Sequence, residues 1–218
     1  MKQIIVMLSV LTVVGCQTTG PHSAKNDPRS DWWGLAFNEP DYMKVWVEDS
    51  SVLDIQNRTF FRVGGSTAAG GEPEDGTESV RGWGTVSGSA IPVTGADLPK
   101  LIFVRWQSLS EQKTYKGFIA IPEEARRLMV QSTHQRCPET PDRAARYMAS
   151  LYVGLAPGGV LKAWVRDSCH RTVEVAHAQG EPEPLGAQQG KNGGRYAYPV
   201  SEKAKRYIEK HGIPFGSW

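Results

Sequence analysis

The sequence lacks the features that place a chain in several common functional classes. It has no large excess of one charge, since 25 Lys and Arg residues stand against 23 Asp and Glu residues among 218. This near balance argues against binding nucleic acid through bulk positive charge. A mean hydropathy of -0.40 excludes a polytopic membrane protein. The motif His-Glu-x-x-His, the P-loop and Gly-x-Gly-x-x-Gly are all missing. We therefore expect no nucleic-acid partner, no cofactor, no metal site and no catalytic residue.

Residues 1–15 have the pattern of a bacterial lipoprotein signal peptide. Lys2 supplies positive charge, and residues 4–15 form an apolar run of 12 residues. A membrane-spanning helix needs about 20, so the run is too short for an anchor. The segment Val13-Val14-Gly15-Cys16 resembles a lipobox, which predicts cleavage before Cys16 and lipidation of its sulfur. An ordinary signal peptide with an incidental cysteine is the alternative.

The residues that follow the lipobox predict a location. Cys16 is followed by Gln17 rather than Asp, which by resemblance to enterobacterial sorting signals favours the outer membrane. Residues 16–31 contain no apolar run, so we expect the lipidated cysteine to begin a flexible tether. Residues 32–218 are then expected to form a single globular β-rich domain that faces the periplasm.

Two cysteines remain in the expected domain. Cys137 and Cys169 would lie in an oxidising compartment, so a disulfide between them is the first interpretation. Closing a loop of this length contributes about 3–4 kcal/mol in the chain-entropy model. Together with His134 and His170, the same cysteines could instead bind zinc, although neighbouring residues on a strand point to opposite faces.

Hydrophobic periodicity predicts a mainly β (α+β) fold. Residues 43–49 alternate between apolar and polar, and residues 101–107 are apolar enough for a central strand that pairs with residues 113–121 as a hairpin. Helices are predicted after Pro122 and Ser201. We expect a single antiparallel β-sandwich-like domain with one or two short helices. Further strands are expected at 32–37, 59–63, 80–87, 147–156, 160–167 and 171–178, a mobile loop at 64–76, a connection at 138–143 and a surface loop at 179–195.

An internal similarity draws attention to two tryptophans. Residues 43–50 and 161–168 match at five of eight positions, and in both segments a Lys and a Trp share one strand face. Two similar core strands would explain the match. The functional hypothesis is an aromatic outer face that binds a partner together with acidic side chains of the glycine-rich loop. The tentative partner-binding residues are Trp46, Trp164, Glu72, Glu74 and Asp75.

The most distinctive stretch of the sequence follows the predicted central strand. It comprises Trp106, Ser108, Leu109, Glu111, Lys113 and Tyr115. Trp106 and Tyr115 could pack across a hairpin, while Glu111 and Lys113 could form a surface ion pair worth about 0–1 kcal/mol. Such a closed hairpin explains the stretch as easily as a binding site does.

With the lipobox, Trp32-Trp33-Gly34 and Gly82-Trp83, this stretch resembles the family of Gram-negative lipoproteins known as domain of unknown function 2931. The resemblance implies a single-domain envelope lipoprotein with no established activity and no catalytic residues to carry over. Some members lie beside lipase effectors of the type VI secretion system and are suspected of being their immunity proteins.

Three functional hypotheses follow. The first is an outer-membrane-anchored protein-binding module, with neutralisation of a type VI lipase effector as its sharpest form. The second is a structural lipoprotein that scaffolds other envelope proteins or contacts peptidoglycan. The third is a hydrolase using Ser66 and a histidine, although Gly64-Gly65-Ser66-Thr67-Ala68 departs from the nucleophile-elbow pattern at its last position.

Overall fold

The computed structural model describes residues 32–74, 82–145 and 147–218. The predicted signal peptide, Cys16, the tether and Asp75 lie outside the described residues. Within the described residues, no helix has the length and apolar character needed to cross a membrane.

The described residues form strands and helices in this chain order: β1 (Gly34–Asn38), β2 (Val45–Asp54), β3 (Thr59–Phe61), β4 (Ser66–Thr67), β5 (Ile91–Pro92), β6 (Pro99–Ser108), β7 (Lys113–Ala120), α1 (Glu123–Ser132), β8 (Arg136–Cys137), β9 (Thr140–Ala144), β10 (Ser150–Ala156), β11 (Val160–Arg166), β12 (Thr172–Gln179), β13 (Glu181–Pro182) and α2 (Glu202–His211).

Two sheets pack face to face, as in a β-sandwich. Sheet A has the strand order β12-β11-β10-β1-β5, and sheet B has the order β13-β7-β6-β2-β3, with β4 also paired to β2. All pairs in the two sheets are antiparallel except β1 with β10, which run parallel. The fold is therefore mainly β and sandwich-like, as the sequence predicts.

The core lies between the sheets and consists of side chains from alternate strand positions. In sheet B the inward positions include Val52, Ile102 and Val104, and in sheet A they include Leu151 and Leu155. Period-2 alternation places the remaining side chains of each strand on the outer faces. The outer faces are therefore where the two sheets can differ in function.

Two helices complete the described part of the fold. Helix α1 begins after Pro122, carries two glutamates in its first turn and buries Ala125 and Met129 in the core. Helix α2 begins at Ser201, whose hydroxyl accepts a hydrogen bond from the Ala204 N–H, and ends at Gly212. Both helices confirm the predicted starts.

Several segments differ from the prediction, since β4 and β13 lie within the loops expected at 64–76 and 179–195. Residues 82–87, the described part of the expected strand at 80–87, form no strand. Residues 138–143 were expected to be a connection, but β9 pairs there with β8 in a small hairpin. A disulfide between Cys137 and Cys169 ties this hairpin to the turn after β11. The bond uses both sulfur atoms, so the zinc alternative loses its thiolate ligands.

Candidate functional site

The outer face of sheet A is covered at its centre. Ala36, Tyr152 and Trp164 form a cluster there, and Trp83 packs edge to face on Trp164 with ring centroids 5.1 Å apart. A Cβ at Gly154 would lie 2.6 Å from the Trp83 ring, so glycine allows this close approach. Trp164 is 6% exposed. It is therefore a covered side chain and not the exposed aromatic that the internal similarity predicts.

One half of the outer face of sheet B is also covered, by residues 183–200, which we call the covering loop. The ring of Tyr198 packs edge to face on Trp46 at 5.5 Å. The Ala197 N–H donates to Gln107 Oε1 over 2.7 Å, and Gln107 is fully buried. Trp46 is consequently half-buried beneath this loop rather than free.

A buried carboxylate anchors the covering loop. The Glu48 side chain is 1% exposed and accepts hydrogen bonds from Arg105 Nε at 3.0 Å, Gln107 Nε2 at 2.7 Å and the Gln188 N–H at 2.6 Å. A buried ion pair stabilises a fold only when its remaining hydrogen bonds are satisfied, as they are here. The network therefore fixes the boundary between the covered half of sheet B and the rest.

The other half of the outer face of sheet B is not covered by the described residues, and we call it the open face. Strand register aligns its side chains in three rows, the first apolar, the second aromatic and the third charged. The rows are Thr59, Leu53, Leu101 and Ala120; Phe61, Ser51, Phe103 and Phe118; and Asp49, Arg105 and Lys116.

The aromatic row is unusually exposed. Phe61 is 77% exposed and Phe118 is 59% exposed, while Phe103 is half-buried and packs on Phe118 with ring centroids 5.0 Å apart. Contiguous exposed apolar groups mark interaction sites in soluble domains. Aromatic side chains held on a rigid sheet are the kind of anchor on which protein interfaces depend.

The charged row borders the aromatic row, and its cations form ion pairs. Arg105 Nη2 lies 3.7 Å from Asp49 Oδ2, and Lys116 Nζ lies 3.6 Å from Glu181 Oε1. Paired rim charges contribute little affinity but restrict which partner fits. The open face thus combines an apolar centre with a polar border, the arrangement found in protein interfaces.

Two of the acidic side chains predicted to bind a partner, Glu72 and Glu74, contact the start of helix α2. Glu72 Oε1 accepts a hydrogen bond from the Ser201 hydroxyl at 2.7 Å, and Glu74 Oε1 lies 2.9 Å from Lys203 Nζ. The Lys203 ammonium holds the pKa of Glu74 below its usual value. These contacts make Glu72 and Glu74 ties between the loop and the start of α2.

The glycine-rich part of that loop packs against the chain after β1. The Glu39 N–H donates to the Ala69 carbonyl at 2.8 Å, and the Tyr42 N–H donates to the Gly71 carbonyl at 2.9 Å. A Cβ at Gly70 would lie 2.3 Å from Glu39 Cγ, which only glycine avoids. Residues 64–74, the described part of the segment expected to be a mobile loop, therefore contain β4 and pack against the chain after β1.

The distinctive stretch from Trp106 to Tyr115 builds the core. The two rings stack across β6 and β7 at 5.6 Å, as predicted, while Ser108 and Leu109 are fully buried. The predicted ion pair between Glu111 and Lys113 is absent. Glu111 instead accepts hydrogen bonds from the Tyr115 hydroxyl at 2.9 Å and from the Gly158 N–H at 3.0 Å.

Burial and the neighbouring Glu111 carboxylate together raise the pKa of Tyr115. The phenol therefore stays protonated as a hydrogen-bond donor. Lys113 is exposed at the first position of β7. The stretch thus closes the hairpin onto the turn that joins β10 and β11.

The candidate nucleophile of the hydrolase hypothesis is Ser66. Ser66 is exposed in β4 with a φ of 122°, paired with Val47 of β2. It lines a cavity of about 310 Å³ whose other lining residues include Phe37 and Ile91 but no histidine. In the part of the chain that the structure describes, no group of three or more His, Cys, Asp or Glu side chains is placed to hold a metal ion.

Sequence reasoning missed the aromatic row because its members come from three separate strands. Phe61, Phe103 and Phe118 lie far apart in the sequence, and only the strand register places them in one row. The signal in the sequence that could have revealed it is the alternation of strand side chains between two faces. Phe103 and Phe118 are each next in sequence to a core residue, Ile102 and Ile119 respectively. Because neighbouring strand residues point to opposite faces, both phenylalanines point away from the core.

These features define a β-sandwich-like α+β domain with one uncovered aromatic sheet face. The chain belongs to the family described as protein of unknown function (DUF2931), whose family model matches residues 17–216. No curated protein and no solved structure matches the chain significantly.

Proposed function

We propose that the chain is a protein-binding lipoprotein, anchored in the outer membrane through Cys16 and facing the periplasm. The observation that carries the binding role is the exposure of Phe61 and Phe118 in one row on a rigid sheet. Leaving such rings in water is unfavourable, because burying a phenylalanine side chain yields about 1.5–3 kcal/mol. A partner that covers the row recovers this energy.

The contrast between the sheet faces supports this assignment. Trp83 covers the outer face of sheet A, and the covering loop closes half of sheet B through Glu48 and Gln107. The chain thus covers its other outer aromatic side chains, such as Trp164 and Trp46, yet leaves the open face uncovered among the described residues. The lipid anchor rests on the sequence pattern at Cys16.

The specific form of the proposal is an immunity protein that blocks a lipase effector of the type VI secretion system. It rests on the family resemblance together with a surface suited to blocking another protein. A specific interface buries about 1,200–2,000 Å² in total, and the open face supplies the centre of such an interface. The alternative, an envelope scaffold, uses the same surface with a resident partner.

A competition experiment separates the two. A deletion strain is mixed with its parent, with the parent's contact-dependent secretion first active and then disabled. An immunity role predicts that the deletion strain is killed only when secretion is active. Equal survival in both conditions contradicts immunity, and envelope defects without competition then favour the scaffold.

Complementation links the phenotype to the open face. A variant carrying Phe61→Ser and Phe118→Ser is expected to lose protection. The matched control is Phe215→Ser, because Phe215 is 60% exposed but lies outside the open face. Full protection by the double variant would contradict a binding role of the open face.

A further inference from the structure

We infer that a second ligand site lies on the outer face of sheet A and binds a carboxylate carried on a small ring, such as an acidic sugar. The site is a cavity of about 330 Å³ beside the Trp83 cluster, lined by Trp32, Ser89, Tyr147, Tyr152, Arg166 and His170 among others. It lies on the sheet opposite to the open face, so the inference does not depend on the protein-binding role. Ligand sites of this volume suit molecules of monosaccharide size.

Arg166 contributes a guanidinium to the lining of the cavity. It stacks 5.5 Å from the Tyr152 ring centroid, and its Nη1 donates to the Tyr152 hydroxyl over 3.3 Å. Tyr152 is 4% exposed, and its own hydroxyl donates to the Gly88 carbonyl at 3.1 Å. A buried side chain therefore holds the guanidinium in one orientation.

This guanidinium has no carboxylate partner among the described residues. The carboxylate that lines the cavity, Asp167, is already occupied: Oδ2 pairs with Arg171 Nε at 2.8 Å, and Oδ1 accepts the N–H groups of Cys169 and Arg171 at 2.9 Å each. The planar fork of Arg166 is thus available for an incoming carboxylate.

Aromatic rings shape the mouth of the cavity. Trp32 and Tyr147 pack with ring centroids 5.0 Å apart at an angle of 43°, and Tyr147 is 36% exposed. Flat apolar rings beside a cation favour a ligand with a ring body and one negative charge over a bare anion. The disulfide at Cys169 and the left-handed backbone of His170 fix the turn on the opposite side.

The test is calorimetric titration of the full chain with two matched sugars and one bare anion. N-acetylmuramic acid differs from N-acetylglucosamine by a lactyl group that carries a carboxylate, and inorganic phosphate has charge without a ring. We expect the acidic sugar to bind at least tenfold more tightly than either of the others. Equal binding of the two sugars, phosphate binding as tight as that of the acidic sugar, or no binding at millimolar concentration would overturn the assignment.

Variants assign the effect to the guanidinium. Arg166→Gln is expected to weaken binding of N-acetylmuramic acid by at least tenfold, whereas Arg127→Gln makes the same charge change on α1 and leaves affinity within twofold. Because Arg166 packs on Tyr152, Tyr147→Ala provides a second variant at an exposed ring, with an expected loss of about fivefold or more. Unchanged affinity in a folded Arg166→Gln or in Tyr147→Ala would contradict the site.

Discussion

Glu39 is a buried carboxyl group whose ionisation we expect to lower the stability of the fold. It follows β1, is 6% exposed and accepts hydrogen bonds from the Val45 N–H at 2.6 Å and Lys44 Nζ at 3.0 Å. Burial raises its pKa to about 7 and outweighs the opposing effects of Lys44 and the Val45 N–H. The perturbation is Glu39→Gln, which keeps an acceptor for Val45 but cannot ionise.

The raised pKa of Glu39 determines how the free energy of unfolding changes with pH. The folded protein holds the proton more tightly than the unfolded chain, whose reference pKa is 4.5. The stabilisation is therefore complete below pH 4.5 and is lost as the pH rises through about 7. A shift of this size corresponds to about 3 kcal/mol, since one pKa unit equals about 1.4 kcal/mol.

Urea unfolding followed by tryptophan fluorescence measures this effect at a series of pH values. We expect the free energy of unfolding of Glu39→Gln, relative to the original chain, to rise by about 3 kcal/mol between pH 4.5 and 8. Glu74→Gln is the control, because Lys203 lowers the pKa of Glu74 rather than raising it. A difference between Glu39→Gln and the original chain that stays constant across the range would refute the reasoning.

Two further predictions concern the packing around the sheets. Replacing Cys137 and Cys169 by Ala removes a cross-link between residues 32 positions apart and is expected to lower the free energy of unfolding by about 3–4 kcal/mol, measured by urea unfolding with and without reductant. A loss equal to that caused by reductant alone supports this, and no loss contradicts it. Gly154→Ala places a Cβ within 2.7 Å of the rings of Trp83 and Trp164 and is expected to cost about 1–3 kcal/mol. Near-ultraviolet circular dichroism should show altered tryptophan packing, and an unchanged spectrum and stability would contradict the covered-face description.

Local patterns predicted much of the fold because they report burial directly. Alternation at residues 43–49 marks β2, and the apolar run at 101–107 marks the central β6, which pairs with β7 as expected. The capping residue Ser201 and the stop at Gly212 locate α2. These features depend on neighbours in the sequence.

The errors came from contacts between distant segments. The apolar side chain of Trp83 suggested a strand, but Trp83 lies outside any strand and packs on Trp164. The disulfide between Cys137 and Cys169 was predicted, but the pairing of β8 with β9 and the parallel pairing of β1 with β10 were not. Residue patterns alone carry no information on such pairings.

The candidate site was harder to predict for the same reason. Trp46 and Trp164 are aromatic side chains on outer faces, as expected, but the covering loop and Trp83 pack over them. The exposed aromatic row requires knowledge of register across β3, β2, β6 and β7. Composition shows how many aromatic residues exist, whereas tertiary packing decides which remain exposed.

The central claim is that the open face binds a protein, and photo-crosslinking in living cells tests it most directly. A photoreactive phenylalanine analogue is placed at position 118 on the open face or at position 215 outside it, since Phe118 and Phe215 are 59% and 60% exposed. We predict one dominant protein adduct from position 118, absent from position 215 and lost when Phe61→Ser is added. Identical adducts from both positions, or none from position 118 with secretion active and inactive, would contradict the account.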